Sequence, residues 1–277
     1  MTLQELSIED AITFSAALRR RTFVANPFYL LYNCLWERQN GEVLLYEKER
    51  IDGEHPLLFL PRSPANFTNK IVSAGFDEDV PVIQKTHRLR SKEHSGFDEF
   101  VYSTDEWIAL EGAPFKDIRK RIHGFQREHQ VRIVDEYPKE HVLRFLHQWA
   151  AEKRTKEVSE ATRGFFEVEL EESAKNLDLI GRILHKKIFI EVDGALAGFS
   201  IFFPLVDDLW VALMQKTTHG IRGLPQFLYH LKAKEMGDKK FFTTGAAAQD
   251  PDLRKFKESL RPVEIKPIYV LRVGEAL

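Results

Sequence analysis

The second half of the chain contains apolar runs typical of strands, with segments of helical periodicity between them. KIFIEV and ALAGFSIFF flank Asp193 and Gly194, a dipeptide that favours a tight hairpin. LWVALMQK follows as a third apolar run, and a glycine-bearing loop then leads into the helical pattern of PQFLYHLKAKE. This order predicts an antiparallel meander, a helix and a further strand at FFTTGAAA.

The first half of the chain opens with a helical pattern at IEDAITFSAALRR, and EVLLYEK and PLLFLP then indicate two strands. Residues 62–106 are polar and rich in turn residues, and EWIAL is a further strand candidate. A long basic helix is predicted after Pro114, followed by a short strand at VRIV. Two helices, KEHVLRFLHQWAAEKR and FFEVELEESAKNL, and a closing strand IKPIYVLRV complete a pattern that predicts an α+β fold.

The stretch from Thr243 to Pro262 joins small residues directly to a helix rich in cations. Asp250 is a good N-cap and Pro251 suits the first helical position. An apolar stripe is predicted at Leu253, Phe256 and Leu260. The cations beside it are Arg254, Lys255 and Lys257. We expect Phe256 to anchor the helix in the core and Lys257 to lie near the strand end at Gly245; a tight turn beside solvated charges is the equal alternative.

Between LWVALMQK and the next helix lies a loop with Gly220 and Gly223. Such a loop directs backbone N–H groups and the positive end of the helix dipole at one point, which suits a phosphate. Lys216 and Arg222 lie in the same loop, and their charges would strengthen the binding of an anion. An ordinary strand-to-helix connection is the alternative, and spacing alone favours it slightly.

FKDIRKRIHGFQREH predicts an amphipathic helix, because Ile118, Ile122 and Phe125 recur on one face. The polar face carries a dense set of cations: Lys116, Arg119, Lys120, Arg121 and Arg127. A polyanion that meets Arg119, Lys120 and Arg127 would explain them, although charges on helices are more often solvated surface.

The net charge of -2 over 277 residues gives no global attraction to nucleic acid or membrane, so any anion site must be a local patch. Cys34 is the single cysteine, which excludes an intrachain disulfide and a thiolate zinc site and indicates a packed thiol. The histidines show no metal-ligand spacing. The polar start and the absence of an apolar run of ~20 residues predict a cytoplasmic protein without a transmembrane segment.

The motifs of P-loop, Rossmann, zincin and serine-hydrolase proteins are missing. Instead, several segments taken in order resemble the acyl-CoA N-acyltransferase-like (GNAT) superfamily, in the branch of FemAB-type peptidyltransferases and the C-terminal domain of phosphatidylglycerol lysyltransferase. The segments are TFVANPFYLLYNCLW, VLLYEKE, PLLFLP, FKDIRKRIHGFQREH, IFIEVDGALAGFSIFF, GIRGLPQFLYHL and TTGAAAQDPDLRKFKESLRP. The last of these is the most specific.

The resemblance implies two tandem GNAT-like domains, each a mixed, mostly antiparallel sheet flanked by helices. We place them at residues 1–134 and 135–277, with the donor site in the second. By position the donor loop is 219–224, and the signature lysine corresponds to Lys257, with Arg254 one turn earlier. The acetyl-CoA motif [RQ]-x-x-G-x-[GA] is not kept, since Gly220 and Pro225 occupy its first and last positions.

The resemblance implies transfer of an acyl or aminoacyl group to an amine or hydroxyl acceptor, from acyl-CoA or aminoacyl-tRNA and without a permanently bound cofactor. The small residues from Gly245 to Ala248 would leave room for a substrate chain, while Lys257 and Arg254 would polarise a carbonyl or hold a phosphate. Glu171, Glu172 and His219 are the residues considered as general base. The alternative is a non-catalytic module of the same fold that binds a polyanion such as tRNA.

Overall fold

The computed structural model describes residues 3–39, 41–62, 70–154, 160–206, 208–237, 239–246 and 250–276. Internal contacts divide the chain into two compact units, each assembled from separate segments. Unit 1 comprises residues 1–101, 245–258 and 263–277, and unit 2 comprises residues 102–244 and 259–262. The domain boundary that the sequence predicts after residue 134 lies inside unit 2. The division into domains 1–134 and 135–277 remains a prediction.

Nine α-helices and eleven strands are interspersed along the described residues. The helices are α1 (Ile8–Leu18), α2 (Pro27–Asn33), α3 (Asp79–Thr86), α4 (Thr104–Ala109), α5 (Lys116–Glu128), α6 (Lys139–Arg154), α7 (Glu160–Leu179), α8 (Leu224–Glu235) and α9 (Pro251–Ser259). The strands are β1 (Gln4–Glu5), β2 (Cys34–Gln39), β3 (Glu42–Glu47), β4 (Ile71–Gly75), β5 (His87–Ser103), β6 (Val131–Val134), β7 (Lys186–Val192), β8 (Ala195–Val206), β9 (Leu209–Thr217), β10 (Phe241–Ala246) and β11 (Glu264–Ala276).

Unit 1 contains two antiparallel groups of strands. β2 pairs with β1 and β3, while β11 pairs with both β4 and β5. Side chains alternate across β3, so that Leu45 joins one apolar cluster with α1 and α2, whereas Leu44 and Tyr46 join a second one. Cys34 is buried in the first cluster, as predicted, and burial raises the pKa of its thiol, which disfavours the thiolate.

Unit 2 contains the antiparallel meander predicted from the sequence, with β6, β7, β8 and β9 paired in chain order. Asp193 and Gly194 connect β7 to β8 with φ angles of 52° and 86°, the left-handed geometry that a two-residue hairpin requires. β10 runs parallel to β9, with pairs from Phe241 with Leu209 to Thr243 with Val211. The predicted α+β class, with mixed sheets flanked by helices, is confirmed.

Three predictions for the first half are wrong. EWIAL belongs to α4, because the Ser103 hydroxyl accepts the backbone N–H of Glu106 and caps a helix there. PLLFLP forms isolated bridges from Leu57 to Tyr46 and Val72 rather than a regular strand. The polar stretch 62–106 contains β4, α3 and the long strand β5, while its residues 63–69 lie outside the described ones.

Gly223 is fixed by packing between α5 and α8. Its φ is 89°, and a Cβ there would lie 2.3 Å from the carbonyl oxygen of Arg121. Gly220 has a similar φ of 84° but has nothing within 4 Å of that position. The two glycines therefore share the left-handed conformation. Of the two, only Gly223 is also needed for the close approach of the Arg121 backbone.

Replacing Gly223 with alanine should therefore destabilise unit 2 much more than replacing Gly220. Gly220→Ala carries only the left-handed strain of about 1–2 kcal/mol. Gly223→Ala adds a clash with backbone, worth about 1–3 kcal/mol more. Denaturant unfolding of both variants measures the difference, and equal losses of stability would contradict a packing role for Gly223.

Candidate functional site

Lys257 on α9 is a buried lysine, with 4% of its surface exposed. Its Nζ donates hydrogen bonds to the carbonyl oxygens of Gly245 at 2.8 Å and Ala246 at 2.9 Å. The same atom lies 5.7 Å from the centroid of the Phe100 ring. These contacts supply the hydrogen bonds that a buried ammonium needs, and they fix its position at the end of β10.

The buried face of α9 differs from the predicted one. The predicted cap is confirmed, because Asp250 Oδ1 accepts the backbone N–H groups of Asp252 at 2.9 Å and Leu253 at 3.0 Å. Leu253, however, is 36% exposed and Phe256 is only half-buried, while Lys257 lies inside. The expectation that Phe256 anchors the helix in the core is therefore wrong, and Lys257 lies deeper than Phe256, since carbonyls offset the cost of burying the cation.

Arg254 lies one turn before Lys257 and is held by two carboxylates. It forms an ion pair with Asp98 on β5 and another with Glu258 at 2.9 Å. His94 Nε2 donates to the same Asp98 at 2.6 Å. Burial alone would raise the pKa of Asp98, but the hydrogen bonds from Arg254 and His94 lower it overall. Arg254 therefore positions α9 against β5, a role that the sequence did not indicate, because it depends on Asp98 and His94.

Gly245 has a φ of 72° and packs against the Phe23 ring, whose Cδ2 atom is 3.7 Å from the position that a Cβ would take. The backbone N–H of Phe23 donates at 2.9 Å to Glu99 Oε1, a carboxylate without exposed surface. Unit 1 thus brings Gly245, Arg254 and Lys257 together. The two alanines that we expected to extend this opening, at positions 247 and 248, lie outside the described residues.

The predicted donor loop lies in unit 2. Lys216 Nζ is 4.5 Å from the centroid of the Trp149 ring, and the His219 ring lies nearly parallel to Trp149 with centroids 6.5 Å apart. Gly223 is the N-cap residue of α8 and packs on α5. Gly220 and Arg222 are exposed.

A groove of about 500 Å³ runs along α5 and includes Arg222. Its lining is strongly basic: Lys116, Arg119, Lys120, Arg121, His123, Gly124, Phe125, Arg127, Glu128 and Arg222. Arg119 donates to the carbonyl oxygens of Leu110 and Gly112, so its charge also stabilises the chain after α4. Lys120 is exposed, and Arg127 forms only a surface pair with Glu128 at 3.4 Å. Unit 2 thus brings the predicted polyanion residues and Arg222 to one groove.

Glu171, considered as general base, lies exposed on α7 and pairs with Lys175 at 2.7 Å. The hydrogen bond from Lys175 lowers the pKa of Glu171, which weakens it as a proton acceptor near neutral pH. Among the described residues, no cluster of three or more His, Cys, Asp or Glu side chains could hold a metal ion. In the same residues, no helix combines the length and apolarity needed to cross a bilayer.

Comparison with known protein families gives a match for this chain. The family described as "Phosphatidylglycerol lysyltransferase, C-terminal" matches residues 79–272, more than half of the chain. No curated protein matches the chain.

Solved structures share the fold at low sequence identity. A conserved protein of unknown function from Bacteroides thetaiotaomicron is 13% identical, with 99% of this chain and 100% of that chain covered and a TM-score of 0.80. L-PGS from Bacillus licheniformis is 15% identical, with coverages of 97% and 92% and a TM-score of 0.64. FemX is 9% identical, with coverages of 99% and 97% and a TM-score of 0.50. These structures show that the chain shares its fold with L-PGS and FemX, and the family match shows that it belongs to the family of phosphatidylglycerol lysyltransferase C-terminal domains.

Proposed function

We propose that the protein transfers an acyl or aminoacyl group from an activated donor to an amine or hydroxyl acceptor, with Lys257 as the group that stabilises the transition state. The observation that carries the proposal is the buried ammonium of Lys257, fixed by the carbonyl oxygens of Gly245 and Ala246. Family membership supports the same class of reaction, because the family is described by lysyl transfer.

The chemistry of acyl transfer suits a fixed cation. Attack of the acceptor on the donor carbonyl forms a bond from nitrogen or oxygen to carbon, and negative charge develops on the carbonyl oxygen. An ammonium that already holds its place stabilises that charge without reorganising, and low exposure strengthens the attraction. The bond from the carbonyl carbon to the donor oxygen or sulfur then breaks. The departing oxygen or sulfur takes up the proton that the acceptor releases.

The α5 groove supports aminoacyl-tRNA over a coenzyme A thioester as the donor. The groove has a volume of about 500 Å³, and its cations could bind successive phosphates of a nucleic-acid backbone. The pyrophosphate of coenzyme A would instead need free N–H groups at the start of α8, where Pro225 has none and Gly223 packs against Arg121.

A second candidate function is a non-catalytic module that binds a polyanion such as tRNA. The same groove favours it, because polyanion binding needs no contribution from Lys257. The two functions are distinguished by whether any donor supports transfer and whether Lys257 matters for it.

Lys257→Met should abolish most transfer activity. Methionine keeps an unbranched stem but removes the charge, so we expect turnover to fall ~100-fold or more, the usual effect of losing a prearranged oxyanion donor. The variant should also lose about 1–3 kcal/mol of stability, because the carbonyls of Gly245 and Ala246 lose their donor. A panel of aminoacyl-tRNAs and acyl-CoAs with amine and hydroxyl acceptors measures turnover, and denaturant unfolding measures stability.

Lys255→Met is the matched control, since Lys255 lies exposed on the same helix. It should change neither activity nor stability by much. Full turnover in Lys257→Met would refute the catalytic role, and absence of transfer with every donor while tRNA still binds would favour the binding module.

Charge reversal in the α5 groove should weaken tRNA binding. Lys120→Glu combined with Arg127→Glu leaves Arg119 to hold the carbonyls of Leu110 and Gly112. Each phosphate that the protein no longer neutralises should reduce the slope of log K against log salt by ~0.7–0.9. Binding measured over a salt series checks this expectation.

The control for the groove is Lys234→Glu combined with Lys240→Glu, the same charge change at two exposed lysines that do not line it. Equal effects of the two double variants would assign the groove's cations to general surface charge.

A further inference from the structure

Glu47 is a half-buried carboxyl at the end of β3 in unit 1. Its neighbour across the β2–β3 pair is the buried Cys34. The side chain is held from two other elements, because Glu47 Oε1 accepts hydrogen bonds from Tyr29 Oη at 3.0 Å and from Ser73 Oγ at 3.3 Å. These contacts fix the orientation of the carboxyl group.

Both hydroxyls bind the same oxygen atom of Glu47. Within the described part of the chain, no hydrogen bond ends on Glu47 Oε2, and that atom is not among the buried polar atoms that lack a partner. The second oxygen therefore keeps some exposed surface. No arginine or lysine of the described residues forms an ion pair with this carboxyl, and Lys48 instead pairs with Glu5 at 3.6 Å.

Burial, with a smaller contribution from the charge of Glu49, raises the pKa of Glu47 to about 7, although the hydrogen bonds from Tyr29 and Ser73 lower it. The titratable or charged groups around the carboxyl are Tyr29 on α2, Cys34 on β2, and Lys48, Glu49 and His55 in the segment after β3. A carboxyl whose charged form is destabilised in this way gains much from a bound cation.

The arrangement selects among cations. A guanidinium binds both oxygens of a carboxylate, but Oε1 is already occupied by two hydroxyls. A metal ion needs several ligands, and the described residues contain no cluster of three or more metal-ligating side chains. A primary ammonium needs one open oxygen, and Tyr29, whose hydroxyl binds Glu47, supplies an aromatic ring beside the carboxyl.

We propose that Glu47, held by Tyr29 and Ser73, binds a primary ammonium group of the acceptor. Contacts lead from this site to Lys257, because Tyr29 packs on Phe23, Phe23 packs on Gly245, and the Gly245 carbonyl accepts from Lys257. The assignment to the acceptor rests on the proposed transfer function, whereas binding of the ammonium can be measured without any donor. An ammonium site at Glu47 would make the acceptor a compound that carries a primary amine rather than a plain alcohol.

The direct test follows the ¹³C resonance of the Glu47 carboxyl in the full-length protein, assigned by its loss in Glu47→Gln. Its titration midpoint should lie near pH 7 and should fall by half a unit or more when butylammonium is added, because the cation binds only the carboxylate. Affinity for butylammonium should accordingly fall about tenfold for each pH unit below the midpoint. Tetramethylammonium, which has no N–H donor, and butanol, which has no charge, should leave the midpoint unchanged.

Glu37 provides the matched control carboxyl. It lies on the adjacent strand β2 and accepts the Tyr46 hydroxyl at 2.6 Å, but only 9% of it is exposed. Its resonance should not respond to butylammonium. An unchanged Glu47 midpoint, or an equal response to tetramethylammonium, would overturn the proposal.

The transfer assay then tests the role in the reaction. Glu47→Gln keeps an oxygen that accepts from Tyr29 and Ser73, so the fold should persist, as circular dichroism can verify. We expect KM for amine acceptors to rise tenfold or more, with a smaller change in kcat and no change for hydroxyl acceptors. Tyr29→Phe should raise the same KM to a lesser degree, and Glu37→Gln should not.

The outcomes separate the two proposals. If Lys257→Met abolishes transfer while Glu47→Gln leaves KM for amines unchanged, the acceptor role of Glu47 is wrong and the proposed function stands. If no donor supports transfer but butylammonium lowers the Glu47 midpoint, the ammonium site stands and the proposed function fails.

Discussion

The burial of one ammonium group links the fold of unit 1 to its proposed chemistry. Lys257 can lie inside only because the carbonyls of Gly245 and Ala246 accept its hydrogen bonds, and those carbonyls mark the end of β10. The same two bonds tie α9 to that strand end. The cation proposed to stabilise an oxyanion is therefore also part of the packing, so under that proposal stability and activity depend on the same contacts.

The charged groups of the protein fall into two classes. Some are matched by partners that hold elements together, as Arg254 is by Asp98 and Glu258, and as Arg119 is by the carbonyls after α4. Others are proposed to meet a ligand, as in the α5 groove and at the second oxygen of Glu47. The net charge of -2 does not reveal these two classes, because acidic residues elsewhere in the sequence offset the positive charge of the groove.

Local signals made much of the fold predictable from the sequence. The meander followed from its apolar runs and the Asp193 turn, and α9 from its cap at Asp250. β5 was missed because its polar residues hide the strand period, and α4 because the cap at Ser103 outweighs an apolar pattern. The sites were harder, since they depend on partners distant in sequence. Helical periodicity placed Lys257 outside, and nothing local distinguishes Glu47 from a surface residue at a strand end.

Two cations of α9 show why position alone does not identify a candidate catalytic residue. Arg254 and Lys257 are one turn apart, and both lie within 6 Å of the Phe100 ring centroid. The charge of Arg254 is opposed by two carboxylates, so little field remains to act on a substrate. The hydrogen bonds that Lys257 donates to Gly245 and Ala246 end on neutral carbonyls, which offset less of its charge than a carboxylate would. The chemistry of the partners, rather than the spacing on the helix, is therefore the reason for proposing Lys257 over Arg254 as the cation that faces a developing oxyanion.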